Sequence, residues 1–304
     1  ANYRWNSIDA SVLNATANNI NLILTISGQP TWAAVYPMGP VTNTADLQEF
    51  IGALVERYDG DGLDDAPGSP RVRHFELYNE PDNTDSGRAR HGWGYWGHNG
   101  AGYAQLLQTL YPTFKAASPQ AQLVFGGLAM DWFEADGGPF DQNFLKDVLE
   151  ACQGHTCFDV MNFHYYPPAR PRWEPYGADI IGKATCIRQL MAQYGFADRP
   201  LICTETSWAG GTYWGNDELQ SRFVVKGFVR GAAANLPIIV WYTISDNDQT
   251  LPGLLTAQLK PKLSYYAFQN LTTRLTGAVY LLSLIHICEP TRLLSISYAV
   301  FCLK

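Results

Sequence analysis

Short apolar runs alternate with amphipathic helical patterns along nearly the whole chain, and this alternation restricts the fold more than any other feature. The runs are residues 20–26, 73–78, 123–125, 160–163, 201–203 and 238–241. After the first, Thr44 caps a helix in which Leu47, Phe50, Ile51, Leu54, Val55 and Tyr58 recur at the i, i+3, i+4, i+7 spacing of one helical face. Equivalent faces follow the other runs, marked by Tyr103, Leu107 and Phe114, by Phe144 and Val148, by Ile180, Ile187 and Met191, by Phe223 and Phe228, and by Tyr265, Phe268 and Leu275. Strands that alternate with helices form a parallel sheet, which makes this an α/β chain. The pattern holds six strand–helix units. An open doubly wound sheet can use six parallel strands, whereas a closed (β/α)8 TIM barrel needs eight and typically takes about 250 residues. The chain has 304 residues, and Ala1 enters mid-pattern, with Trp5 and Asp9 leading into a helix. The expectation is a (β/α)8 barrel, N-terminally truncated, with its first two strands upstream of Ala1.

The other end changes texture after Tyr280, where neither a turn nor a helical period is visible. Residues 282–287 are what CTG TCT CTT ATA CAC ATC encodes, and residues 296–303 are what ATC TCG TAT GCC GTC TTC TGC TTG encodes. Both resemble the translated ends of a transposase-type sequencing adaptor, with Cys288 standing where the adaptor gives Ser. The expected organisation is therefore residues 1–281 as an incomplete (β/α)8 catalytic domain and residues 282–304 as a non-native tail, excluded from fold reasoning.

Charge and composition narrow the partners. The formal net charge is -7 and no cluster of Lys and Arg appears, which disfavours nucleic acid and anionic membranes. No apolar run approaches the length of a membrane span. The nine Trp and seventeen Tyr exceed what a barrel core of Val, Ile and Leu needs, and surplus rings suit stacking on flat sugar faces as well as ordinary cores. Cys152 and Cys157 are close enough for a small disulfide in an exported protein, with free thiols the alternative. Cys186 and Cys203 read as core residues. His155 lies near two Cys, but four zinc ligands at suitable spacing are absent, and no cofactor is expected. The alternate acids from Asp59 to Asp65 resemble a calcium loop, although Pro70 stands where an EF-hand places its Glu; a solvated acidic loop is the other reading.

Polar residues gather where strands end. Gln29, Pro30, Thr31 and Trp32 follow the first run, Asn79-Glu80-Pro81-Asp82 the second, His164-Tyr165-Tyr166 the fourth, Thr204-Glu205-Thr206-Ser207-Trp208 the fifth, and Trp241, Tyr242, Ser245 and Asp246 the sixth. Parallel α/β folds build their sites at these carboxyl ends. Glu80 and Glu205 form the pair of carboxylates that glycosidic cleavage requires, one to protonate the leaving oxygen and one to attack the anomeric carbon or activate water. Taken singly, Glu80 near a helix start and Glu205 in an ion pair have structural readings; with His and Trp on neighbouring ends, catalysis is favoured. The loop holding Trp93, Tyr95 and Trp96 follows Glu80 and is placed to line further subsites or simply to pack.

The ordered set resembles a known family. Phe75-Glu76-Leu77-Tyr78-Asn79-Glu80-Pro81 resembles the fourth-strand motif of the clan A glycoside hydrolases, and Leu201-Ile202-Cys203-Thr204-Glu205 resembles their seventh-strand nucleophile motif. His164-Tyr165-Tyr166 is similar to their sixth-strand His-x-Tyr, Trp241 to their eighth-strand aromatic platform, and Pro30-Thr31-Trp32 to their third-strand end. The likeness covers roughly residues 1–280 and is nearest to family 39 or family 5-like members. It implies a retaining hydrolase of β-linked oligo- or polysaccharides, with Glu80 as acid/base and Glu205 as nucleophile. Asn79 would hold the sugar 2-hydroxyl, His164 and Tyr166 would orient Glu205 or touch the sugar, Trp241 would stack on the ring, and Trp32 would bind substrate. Clan members usually also carry an early strand-end Arg, which the resemblance would put upstream of Ala1. A transglycosidase and a non-catalytic carbohydrate-binding barrel are the alternatives. A secreted or periplasmic location is expected.

Overall fold

The computed structural model of the chain describes residues 3–28, 30–36, 39–84, 96–211, 215–247, 250–283 and 299–302. These form two compact units, one comprising residues 1–164 with 189–200 and the other residues 165–188 with 201–304. Gln29, the segment from Gly92 to Tyr95 and most of the tail beyond Ser283 lie outside the described residues.

In the first unit, helix α1 (Asn6–Ala17) precedes strand β1 (Ile23–Ile26), helix α2 (Thr44–Arg57), strand β2 (His74–Asn79), helix α3 (Gly100–Ala117), strand β3 (Gln122–Gly127), helix α4 (Phe144–Cys152) and all but the last residue of strand β4 (Met161–Tyr165). Strands β1, β2 and β3 are parallel and lie in that order, with Ile23 opposite His74 and Asn79 opposite Gly127. Parallel bridges from Val124 to Val160 and from Leu128 to Phe163 bring β4 alongside β3. Phe75, Leu77, Leu123, Phe125, Met161 and Phe163 are buried, as strands covered on both faces require. Helix α2 packs on α3, and α3 on α4. Tyr103 on α3 contacts the rings of Tyr78, Trp96, Phe125 and Phe144. Helix α1 is tied to the end of α2, where the Arg57 guanidinium forks onto the Asp9 carboxylate at 2.9 and 2.7 Å and Tyr58 donates to it at 2.7 Å.

The second unit holds most of helix α5 (Ile180–Gln193), strand β5 (Leu201–Thr206), helix α6 (Asp217–Ala233), strand β6 (Ile239–Trp241) and helix α7 (Leu263–Leu275), followed by strands β7 (Val279–Ser283) and β8 (Ala299–Cys302). Strands β5 and β6 are parallel, while β7 and β8 are antiparallel. Helices α6 and α7 pack together, with Phe228 edge-on to Phe268.

The architecture is α/β, and each expected strand is present with adjusted ends. Residues 20–22 precede β1, and β2, β3 and β5 run on through polar or glycine residues that hydrophobic patterning leaves out. The cap of α2 is corrected as well. Asn43, in an extended conformation, accepts from the Ala45 N–H at 3.0 Å, so Thr44 is the first helical residue. Cys152 and Cys157 form a disulfide. No helix among the described residues is long and apolar enough to cross a membrane.

Candidate active site

The carboxyl end of β2 carries the first carboxylate. Asn79 is half-buried, and Glu80 is only 7% exposed. Tyr78 and Glu80 both have left-handed backbone, with φ of 65° and 45°; strain of this kind in non-glycine residues clusters at functional sites. The Glu80 N–H donates to the Gly127 carbonyl at 2.9 Å, which keeps the residue tied to β3 despite the irregular backbone. His164, 1% exposed, places Nδ1 3.1 Å from Glu80 Oε1. Its ring lies over Gly127, where an added Cβ would fall 2.1 Å from His164 Nε2. Neighbouring Gly126 is required by a different approach, since a Cβ there would meet the Leu77 carbonyl at 2.5 Å.

Beneath this pair lies a second buried carboxylate, which sequence reasoning passed over. Glu76 Oε1 accepts from the Gly127 N–H at 2.8 Å and from Asn162 Nδ2 at 2.6 Å, and its Oε2 accepts from Thr25 Oγ1 at 2.8 Å. One side chain on β2 thereby joins β1, β3 and β4. A buried charge is tolerated only when hydrogen-bonded in this way. Tyr103 braces the same region by donating to the Leu77 carbonyl at 2.6 Å and accepting from the Gly126 N–H at 3.1 Å. Burial raises the pKa of its phenol well above the ordinary value.

In the second unit, β5 delivers Glu205 near its carboxyl end, partly buried, with the Tyr166 hydroxyl donating to Glu205 Oε1. Thr206 Oγ1 donates to the Tyr165 carbonyl at 2.7 Å, fixing the segment that carries Tyr166. Tyr166, Pro168, Ser207, Trp208, Ala209 and Thr250 line a cavity of about 230 Å³. Trp241 ends β6 only 9% exposed, with its indole N–H donating to the Pro252 carbonyl at 3.0 Å and its ring 6.0 Å from that of Phe223. Cys203, behind Glu205, is buried, and burial pushes its thiol up to about 12.

The predicted site residues thus sort into two sets. Glu80, Asn79 and His164 gather at the end of the first unit's sheet, with His164 on Glu80 and Tyr166 on Glu205. Trp32, 69% exposed, belongs to neither set. It lines a largely apolar cleft of about 570 Å³ together with Ile26, Pro30, Val41, Phe50 and Tyr78. The acidic loop does not support calcium. Asp59, Asp61 and Asp65 lie close together, but they accept from the loop's own amides, Asp61 N, Leu63 N, Gly60 N and Gly62 N. That is the bonding of a self-closed turn. His74 is half-buried on β2, its pKa lowered by burial and by Arg73.

No protein-family model matches the sequence, and no curated protein does. Solved structures do match. A family 39 glycoside hydrolase from Bacteroides cellulosilyticus superposes with a TM-score of 0.73 at 19% identity, covering 100% of this chain and 59% of that one. A glucosidase from Croceicoccus marinus gives 0.67 at 18% identity, covering 89% of this chain and 54% of the other. Xylanase 10B from Thermotoga maritima gives 0.54 at 15% identity, covering 90% and 81%. The chain therefore spans little more than half the length of the first two. At these identities the likeness is one of fold.

Proposed function

We propose that this chain carries the catalytic apparatus of a retaining glycoside hydrolase on a (β/α)8 barrel, close to family 39 of clan A, that cleaves β-glycosidic bonds in oligo- or polysaccharides. One observation carries the reading: the three-residue stretch His164-Tyr165-Tyr166 supplies a hydrogen-bonding partner to each of two strand-end carboxylates, His164 to Glu80 and Tyr166 to Glu205. The likeness of fold to a family 39 hydrolase, a glucosidase and a xylanase supports it.

In the first step the Glu205 carboxylate attacks the anomeric carbon while protonated Glu80 gives its proton to the departing glycosidic oxygen. The C–O bond to the leaving sugar breaks and a glycosyl ester on Glu205 forms. In the second step Glu80, now a carboxylate, takes a proton from water, whose oxygen attacks the anomeric carbon and frees Glu205. Tyr166 fixes the direction of the Glu205 carboxylate by donating to its Oε1. His164 holds Glu80 in place through both steps. Asn79, next to the acid, is positioned for the sugar 2-hydroxyl, whose contact strengthens in the transition state. The Cys152–Cys157 disulfide supports a secreted or periplasmic location, since such bonds persist in oxidising compartments.

Turnover of two substrate types tests the assignment. Glu205→Gln abolishes hydrolysis of both an unactivated disaccharide and an aryl glycoside with an activated leaving group. Glu80→Gln slows the disaccharide by about 10²–10⁴-fold, the usual worth of a general acid, and slows glycosylation by the activated substrate far less. Equal losses on both substrates for Glu80→Gln would remove it from the acid role.

A further inference from the structure

We infer that Trp132 is a sugar-stacking platform on the leaving-group side of Glu80, an inference that rests on the glycosidase reading above and extends it to a binding subsite. The indole is 50% exposed, unlike the buried Trp241 and Trp96. It sits in the segment that leaves β3, five residues after Gly127, whose carbonyl holds the Glu80 amide.

That segment is fastened to the chain just beyond Glu80. The Asp82 carboxylate accepts from the Ala129 and Met130 amides at 3.2 and 2.7 Å. The Asp141 N–H donates to the Asp82 carbonyl at 2.9 Å, and the Thr84 amide and hydroxyl both donate to the Pro139 carbonyl, at 2.7 and 2.9 Å. Asn83 and Phe140 form an antiparallel bridge. The loop is also closed on itself around Trp132. The indole N–H donates to the Asp136 carbonyl at 3.2 Å, and a Cβ on Gly138 would fall 1.8 Å from the Trp132 carbonyl oxygen, so only glycine admits this approach.

A half-exposed ring held by such a frame is pre-organised for a flat apolar face, and little ordering entropy is lost when one docks. The C–H faces of pyranose rings provide such a surface. Polar groups to orient the hydroxyls are present two residues on, where Glu134 faces His98 at 3.2 Å, both well exposed. The acid of a glycosidase stands beside the leaving oxygen, and the Trp132 loop is tied to the residues that follow Glu80. The ligand class is the reducing-end portion of a linear β-linked oligosaccharide.

The test compares wild type, Trp132→Ala and Trp132→Phe in titrations with xylo- and cello-oligosaccharides of increasing length, read by intrinsic fluorescence and calorimetry, with cleavage followed in parallel. Oligosaccharide alters the wild-type tryptophan emission, Trp132→Ala weakens binding by about 2- to 10-fold, the worth of one ring contact, and Trp132→Phe restores part of it at an unchanged melting temperature. Equal affinity for wild type and Trp132→Ala, with cleavage intact, overturns the platform alone. Trp132-dependent binding without cleavage upholds the platform and overturns the hydrolase reading. Failure of every oligosaccharide to bind wild type overturns both.

Discussion

At Gly127 there is no room for a methyl group, because the His164 ring occupies the space a Cβ would take, and His164 is the neighbour of Glu80. Gly127→Ala therefore reaches Glu80, the proposed acid, through the imidazole. We expect a cost in stability of about 1–3 kcal/mol, typical of overpacking, together with a fall in kcat of tenfold or more on unactivated glycosides and a smaller fall on activated ones, measured by steady-state kinetics beside thermal melts. An unchanged kcat on unactivated glycosides in a destabilised variant would detach His164 from the acid's function. Glu80 and Glu205 stood out in the sequence because each comes just after an apolar run and the proposed chemistry demands a pair. Glu76 was not read as a site member, although it interrupts an apolar strand four residues before Glu80. Its role depends on Thr25, Gly127 and Asn162, which only the parallel register brings together. Trp132 escaped for another reason. It lies in a segment without periodicity, and the bonds that tie that segment to Asp82 and Thr84 are tertiary, which no local pattern announces.

The elements show where patterning succeeds and where it stops. Apolar spacing located the faces of helices α2 to α7 and, to within a residue, the start of most strands, since burial dictates both. It stopped short at Asn79, Gly126, Gly127 and Thr206, where the backbone stays paired but side chains turn polar or vanish. The cap of α2 is a similar case, as Asn43 and Thr44 are both good caps by type and only the backbone angles choose Asn43. Asn43→Ala should cost about 1 kcal/mol and Thr44→Ala markedly less, by denaturant unfolding; the reverse order would return the cap to Thr44. The bond between α1 and α2 makes a pH prediction. The hydrogen bond from Arg57 depresses the Asp9 pKa below its ordinary 3.8. A depressed carboxylate contributes stability above the unfolded pKa and loses it as pH falls through the folded value. Asp9→Asn should thus melt below wild type at neutral pH, and the gap should narrow as pH falls below about 3.8. A gap that stays constant to low pH would mean the ion pair contributes nothing.

For the whole molecule, the proposed function requires Glu80 and Glu205 to serve one glycosidic bond. The alternation of strands and helices was enough to read α/β and to point to the carboxyl ends of the strands, because parallel sheets place loops of one kind at one end. It could not choose between six strands in an open sheet and part of a barrel, since both use the same local patterns. The measurement that tests the central claim most directly is the separation between the carboxyl groups of Glu80 and Glu205 in a crystal structure of the chain. The account predicts about 5–5.5 Å, the spacing of a double-displacement site. A gap of about 6.5–9.5 Å, which leaves room for a water and inverts the product, would contradict the retaining mechanism, and a still larger one would contradict a shared site altogether.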